Sequence, residues 1–179
     1  MSNINLRIQH LIEGIGNPDN DIQIHSEKSL IKIGLPAVNA LVEATKHENP
    51  QIRWRAAYSL GRIGDNRAFD AILDLVINPD SRDSVTRYEA FLALGYLGDP
   101  RAIPPLAEIM LTSEPGESAI GWASCVLVDF GEQAIDVLKK IILNGNPDAI
   151  QEASDALETI NDRMIPSIQV DRDTKQEKI

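Results

Sequence analysis

The chain has 179 residues, 43% of them hydrophobic and 25% charged, enough apolar material for a packed core and too much for general disorder. Only 4% are aromatic, so that core must be aliphatic and alanine-rich. Seventeen basic residues against 27 acidic ones give a formal net charge of −10, which argues against a nucleic-acid backbone or an anionic membrane as main ligand and leaves basic proteins or cations.

The first periodic segment is Ile4, Ile8, Leu11 and Ile15, an amphipathic helix over 3–15 expected to cap the fold. Repeats follow. Ile52-Arg-Trp-Arg-Ala-Ala-Tyr-Ser-Leu-Gly-Arg-Ile-Gly64 returns as Thr86-Arg-Tyr-Glu-Ala-Phe-Leu-Ala-Leu-Gly-Tyr-Leu-Gly98. Fainter copies end at Gly34, Gly131 and near Asn161, at spacings of 30, 34, 33 and 30. Such a period with helical patterning inside it marks an α-solenoid.

Each unit reads as two helices, with repeats at about 21–47, 50–78, 84–112 and 117–144 and a last helix over 148–161. In the first helix Ile52, Ala56, Leu60 and Ile63 form one stripe. Gly64 then stands where a helix end takes a left-handed residue. Asp65 and Asp99 are N-caps of second helices, with Pro100 at a first position. Ala68, Ile72 and Val76 form the inward stripe of a second helix, repeated by Ala102, Leu106 and Met110, by Ala37 and Leu41, and by Ala134 and Leu138. Gly61 and Gly95 lie inside helices at about 1 kcal/mol each against alanine; close approach of the paired helix is the expected compensation. Loops from Asn78 to Asp83 and from Thr112 to Glu117 carry the insertions. Ile150, Ala153, Leu157 and Ile160 form the last inward stripe, with a polar outer face suited to a terminal cap. The expectation is an all-α fold of about ten helices in one domain over 1–165, and a flexible polar tail over 166–179. Met1 to Arg7 lack the apolar core of a signal peptide, and no apolar run approaches the ~18 residues that span a bilayer. The expected setting is cytoplasmic.

The strings Arg-Ala-Ala-Tyr-Ser-Leu-Gly-Arg-Ile-Gly-Asp at 55–65 and Ala-Leu-Gly-Tyr-Leu-Gly-Asp-Pro-Arg-Ala-Ile-Pro-Pro-Leu at 93–106 resemble HEAT-like repeats, in particular the short repeats named after phycobilisome lyases. The resemblance covers roughly residues 20–161 and implies a right-handed superhelix of stacked antiparallel helix pairs. These motif residues are packing residues, so they specify fold rather than function. Similar repeats occur in bilin lyases and related phycobilisome factors, often paired with a second HEAT-like subunit, in di-iron deoxyhypusine hydroxylases, in binding scaffolds without chemistry, and in DNA glycosylases that work on a basic surface this chain lacks.

The hydroxylase pattern would place His-Glu pairs near the start of the first helices. This sequence has Trp54-Arg55 and Tyr88-Glu89 there, and its three histidines are His10, His25 and His47. Only His47 has an adjacent glutamate, Glu48, so no metal site is expected. Cys125, the one cysteine, excludes an intrachain disulfide and a thiolate-rich metal centre. With apolar neighbours and no nearby histidine it is expected to be packed and inert. No catalytic residue and no cofactor is assigned; a bilin would enter only if the chain acts as a lyase-type factor.

The most informative feature is a charge ladder. Counting from Ala37, Ala68, Ala102 and Ala134, position two holds Asn39, Asp70, Pro104 and Asp136, and position six holds Glu43, Asp74, Glu108 and Lys140. Positions two and six share a helix face. In HEAT solenoids the second helices line the concave surface, so the resemblance turns the ladder into an acidic groove that becomes basic at Lys139 and Lys140. The alternative is an ordinary solvated face. Trp54, Tyr88 and Trp122 stand at nearly equivalent first-helix positions, and either stack between repeats or form an exposed patch. Arg67 and Arg101 follow Asp65 and Asp99 by two residues and are expected to tie adjacent units together. The functional expectation is a non-catalytic scaffold, monomer or heterodimer, that holds a protein with a basic surface in the acidic groove. The alternative is a bilin-lyase-type factor acting on a phycobiliprotein.

Overall fold

The computed structural model describes residues 3–78 and 84–164. It contains α1 (Asn3–Ile15), α2 (Asn20–Ile33), α3 (Val38–Ala44), α4 (Pro50–Ile63), α5 (Phe69–Ile77), α6 (Ser84–Leu97), α7 (Ile103–Thr112), α8 (Ser118–Asp129), α9 (Ile135–Asn144) and α10 (Pro147–Met164). Among the described residues there is no strand. The fold is an all-α solenoid of HEAT-like helix pairs. The tail expected over 166–179 and most of the Asn78–Asp83 loop lie outside the described residues.

The pairings set two layers. The first helices α2, α4, α6, α8 and α10 stack in order, and each second helix packs on the first helix of the following unit: α3 on α4, α5 on α6, α7 on α8, α9 on α10. Helix α1 packs on α2 in the same way and also touches α3. It therefore fills the place of a second helix, and α10 that of a first helix. Among the described residues there are four full pairs, with a half-unit before them and another after.

The reason is the repeated apolar spacing. Leu30, Leu60, Leu94 and Leu127, each four residues before a unit's glycine, are all fully buried. So are Ala37, Ala68, Ala102 and Ala134, and Leu41, Ile72, Leu106 and Leu138 one turn later. Burial of such a leucine or isoleucine contributes about 1.5–3 kcal/mol. Alanine at the start of each second helix lets the backbones approach. In α1, Ile8, Leu11 and Ile15 are buried but Ile4 is exposed, because the stripe runs off the end of the stack.

Caps punctuate the units. Gly64 is left-handed (φ 75°, ψ 27°), and its N–H closes α4 on the Leu60 carbonyl. Asp65 and Asp99 accept from the backbone N–H groups of Arg67 and Arg101. The turns they cap, Asn66–Ala68 and Pro100–Ala102, are 3-10 rather than α, so each second helix opens with a tight turn before its α segment.

Gly61 corrects one expectation. A Cβ there would lie 2.7 Å from Ala93 Cα and 2.9 Å from its carbonyl oxygen. The neighbour is α6, the first helix of the next unit, and not the paired helix of its own unit. Gly95 faces α8 with more room: a Cβ would meet Asp129 Oδ2 at 3.4 Å and Val126 at 3.5 Å.

Each Asp/Arg pair closes on itself and reaches back one unit. Arg67 holds Asp65 at 2.8 Å and lies 3.5 Å from the Leu35 carbonyl and Asn39 Oδ1. Arg101 holds Asp99 at 2.6 Å, reaches the Asn66 carbonyl at 3.5 Å, and lies over the Phe69 ring at 4.1 Å. The Arg67 guanidinium and backbone N–H bring the Asp65 carboxyl from 3.8 down to about 2. Arg101 lowers Asp99 in the same way. A depressed folded-state pKa adds stability above the unfolded pKa, lost as pH falls through the folded one. The expected result is a stability decline between about pH 4 and about pH 2. The double variant Asp65→Asn/Asp99→Asn keeps good caps and should flatten that decline, measured as Tm against pH.

Candidate partner-binding face

The ladder residues sit on α3, α5, α7 and α9. Asn39, Glu43, Asp70, Asp74, Glu108, Asp136 and Lys140 are all exposed, as is Pro104. On α5 the buried residues are Phe69, Ile72, Leu75 and Val76. At about 100° per residue, Asp70 and Asp74 fall on the side opposite that stripe. The same holds for Glu108 on α7, whose buried residues are Leu106, Ala107, Ile109 and Met110. The outer face of the second-helix layer therefore presents these side chains in register, unit after unit.

The two columns differ in character. Position two is interleaved with arginine: Arg67 lies beside Asn39, and the Arg101 guanidinium feels the Asp70 carboxylate. Position six keeps its charge more openly. Glu43 has one distant partner, Lys46 at 3.9 Å, with both side chains well exposed. Such a pair is worth little. Asp74 and Glu108 stand exposed on the next two units, and Lys139 and Lys140, both exposed, reverse the sign on α9.

A cleft of about 430 Å³ opens between α5, α6, α7 and the turn that leads into α8. Ile77, Pro105, Glu108, Ile109 and Thr112 line it, with Arg87 at its back. Arg87 Nε donates to the Val76 carbonyl at 2.9 Å, which holds that side chain in the wall.

The aromatic triad does not form one patch. Tyr88 and Trp122 meet edge to face at 5.5 Å, and Trp122 meets Phe91 at 5.7 Å. These rings join α6 to α8. Trp54 is half-buried elsewhere, under the Arg55 guanidinium at 4.3 Å, with its Nε1 donating to Gln51. The patterning did not expose a second cluster: Tyr58 and Tyr96 lie edge to face at 6.1 Å, with the Arg62 guanidinium 5.8 and 5.5 Å from their rings. Tyr96 occupies the Arg62 position one unit on, so the register did carry a signal for it.

A second feature the sequence reading missed is a polar node inside the first-helix layer. Arg55, only 8% exposed, donates to Glu27 Oε2 at 2.7 Å and to Gln23 Oε1 at 2.8 Å. Gln23 in turn donates to the Asn17 carbonyl. Arg55 Nε and Ser59 Oγ are buried without a partner. Burial, and after it the Glu27 charge, pushes the Glu89 carboxyl up, while Arg55 pulls it back. The hydrogen-bonded node joins α2 to α4 and so ties two successive units together.

Cys125 is exposed, contrary to its expected packing. On α8 the buried residues are Ala119, Ile120, Ala123, Ser124, Val126 and Leu127. Cys125 stands on the opposite side of the helix, and its apolar sequence neighbours belong to the buried side. Among the described residues no group of three or more His, Cys, Asp and Glu side chains is gathered to hold a metal ion. No described helix is long and apolar enough to cross a membrane.

Comparison with known families fits this architecture. The HEAT repeats model matches residues 8–85, and the PBS lyase HEAT-like repeat model matches residues 86–112. The chain is a HEAT-like repeat protein. No curated protein matches the chain. The matched stretches run from the middle of α1 to the end of α7, so Glu43, Asp74 and Glu108 lie within the recognised HEAT repeats and the basic end of the ladder, on α9, beyond them.

Proposed function

We propose that this HEAT-like repeat protein is a non-catalytic scaffold that binds another protein along the outer face of its second helices. The observation that carries the reading is Glu43, Asp74 and Glu108 standing exposed at one register in three successive units. HEAT repeats commonly mediate protein–protein contacts. An elongated surface of this kind offers many weak contacts in a row, which suits recognition of a partner with a complementary basic face. Electrostatic complementarity of that sort raises the association rate and falls off with salt.

The test is capture from native extract at low and high salt, with the eluate read by mass spectrometry and visible absorbance. The wild-type chain is expected to retain a basic protein that high salt releases. Glu43→Lys/Asp74→Lys/Glu108→Lys should lower its recovery at least tenfold while leaving Tm unchanged. Equal recovery by the reversed variant would remove the acidic face from the account. The PBS lyase HEAT-like repeat match favours a second reading, a chaperone-type factor for a bilin-carrying protein. A coloured eluate would select it.

A further inference from the structure

Counting three residues beyond position six gives position nine, which falls within α5, α7 and α9 and just past the end of α3. It holds Lys46 in the first unit, then Ile77, Leu111 and Leu143. These last three are 51%, 39% and 80% exposed. At about 100° per residue, positions two, six and nine fall within an arc of about 60°, opposite the buried stripe. An exposed apolar column therefore runs beside the acidic column, about one helical turn away, across three consecutive units. Single exposed apolar residues are ordinary, but the same register in three units is a continuous feature. The two columns meet at the 430 Å³ cleft, whose lining includes both Ile77 and Glu108.

Resting on the acidic-face reading, we infer that the outer face of the second helices takes a basic amphipathic helix, with apolar residues seven apart. The chemistry sets the occupant. A partner must bury Ile77, Leu111 and Leu143 while offering cations to Asp74 and Glu108. The first helices α4, α6, α8 and α10 pack side by side, and helices so packed lie roughly 8–10 Å apart, which sets the step from one unit to the next. A helix rises about 1.5 Å per residue, so residues seven apart stand about 10.5 Å apart on one face. One apolar side chain per heptad therefore meets one unit each, and the flanking Lys or Arg residues reach position six. The face also has a direction. The apolar column is absent from the first unit, where Lys46 stands, and the acidic column ends at Lys140. The bound helix accordingly carries its acidic residues at the end that meets α9.

The test uses the full chain and three labelled synthetic peptides in fluorescence anisotropy. One is a helical peptide with leucine at every seventh position and lysine or arginine beside it. The second has the same composition scrambled, and the third is oligolysine. The wild type should bind the heptad peptide at least tenfold more tightly than the scrambled one. Ile77→Ser/Leu111→Ser/Leu143→Ser should erase that preference and leave binding of the scrambled peptide unchanged. Circular dichroism checks that this variant remains folded. Equal affinity of the wild type for the heptad and scrambled peptides overturns the inference; if all three peptides still bind in a salt-sensitive way, the acidic-face reading stands without it. A serine variant that keeps the preference also overturns it. Sedimentation of the wild type as a dimer that the serine variant abolishes would assign the column to self-association and overturn it as well.

Discussion

Replacing Arg55 with methionine is expected to cost about 3–5 kcal/mol of stability, among the largest effects of any single substitution in this chain. Arg55 on α4 crosses to the preceding unit and satisfies Glu27 and Gln23 of α2 from one guanidinium. Methionine fills much of the volume but leaves the Glu27 carboxylate, itself only 14% exposed as a side chain, without its cation. Removing one partner of a buried pair is far more damaging than removing both. The variant Arg55→Met/Glu27→Leu should therefore recover most of the loss. For a chain of this size each kcal/mol shifts Tm by about 2–4 °C, so the single variant should melt roughly 10 °C lower. Thermal melts of the three proteins at neutral pH read both the loss and its recovery. A single variant that melts with the wild type would mean that Arg55 is not the tie between the units.

The second large effect is a difference in sign between two glycines that look alike in sequence. Alanine is the better helix former by about 1 kcal/mol, so each Gly→Ala exchange starts with that gain. At Gly95 the new Cβ meets neighbours at ordinary contact distance, and Gly95→Ala should stabilise by up to about 1 kcal/mol. At Gly61 the new Cβ meets the Ala93 backbone at 2.7 Å. Backbone cannot swing aside as a side-chain tip can, so α4 and α6 must separate. Overpacking costs typically about 1–3 kcal/mol, and Gly61→Ala should be net destabilising. Gly61→Val should be worse, at about 2–3 kcal/mol, since it adds bulk and gives up helix propensity. Urea unfolding of the alanine and valine variants decides this. Stabilisation by Gly61→Ala would contradict the close α4–α6 approach.

These two sites show what was legible in the sequence. Units, caps and stripes could be read because they repeat: Gly34, Gly64, Gly98 and Gly131 mark the unit ends, and the alanine and leucine columns recur at fixed offsets. Departures from the repeat could not be read this way. Arg55 has Glu89 at the equivalent place in the next unit, and its partners lie 28 and 32 residues away, so periodicity hides the network. The neighbour of Gly61 was misplaced because the stack brings first helices against first helices, a choice that local patterning within one unit does not express. Cys125 was misread from its neighbours in sequence rather than its position around the helix. The ladder at positions two and six was legible because its charges mark a solvated face, whereas the apolar residues at position nine read as core until their exposure is seen.

The most direct test of the account is where a bound partner touches the chain. A photo-crosslinking amino acid placed at Asp74, on the outer face of the second helices, is compared with one placed at Arg62, beside the Tyr58–Tyr96 pair of the first-helix layer. The account predicts that the protein captured from native extract crosslinks from position 74 and not from position 62. Crosslinking from 62 with none from 74 would contradict it and move the binding surface to the first-helix layer.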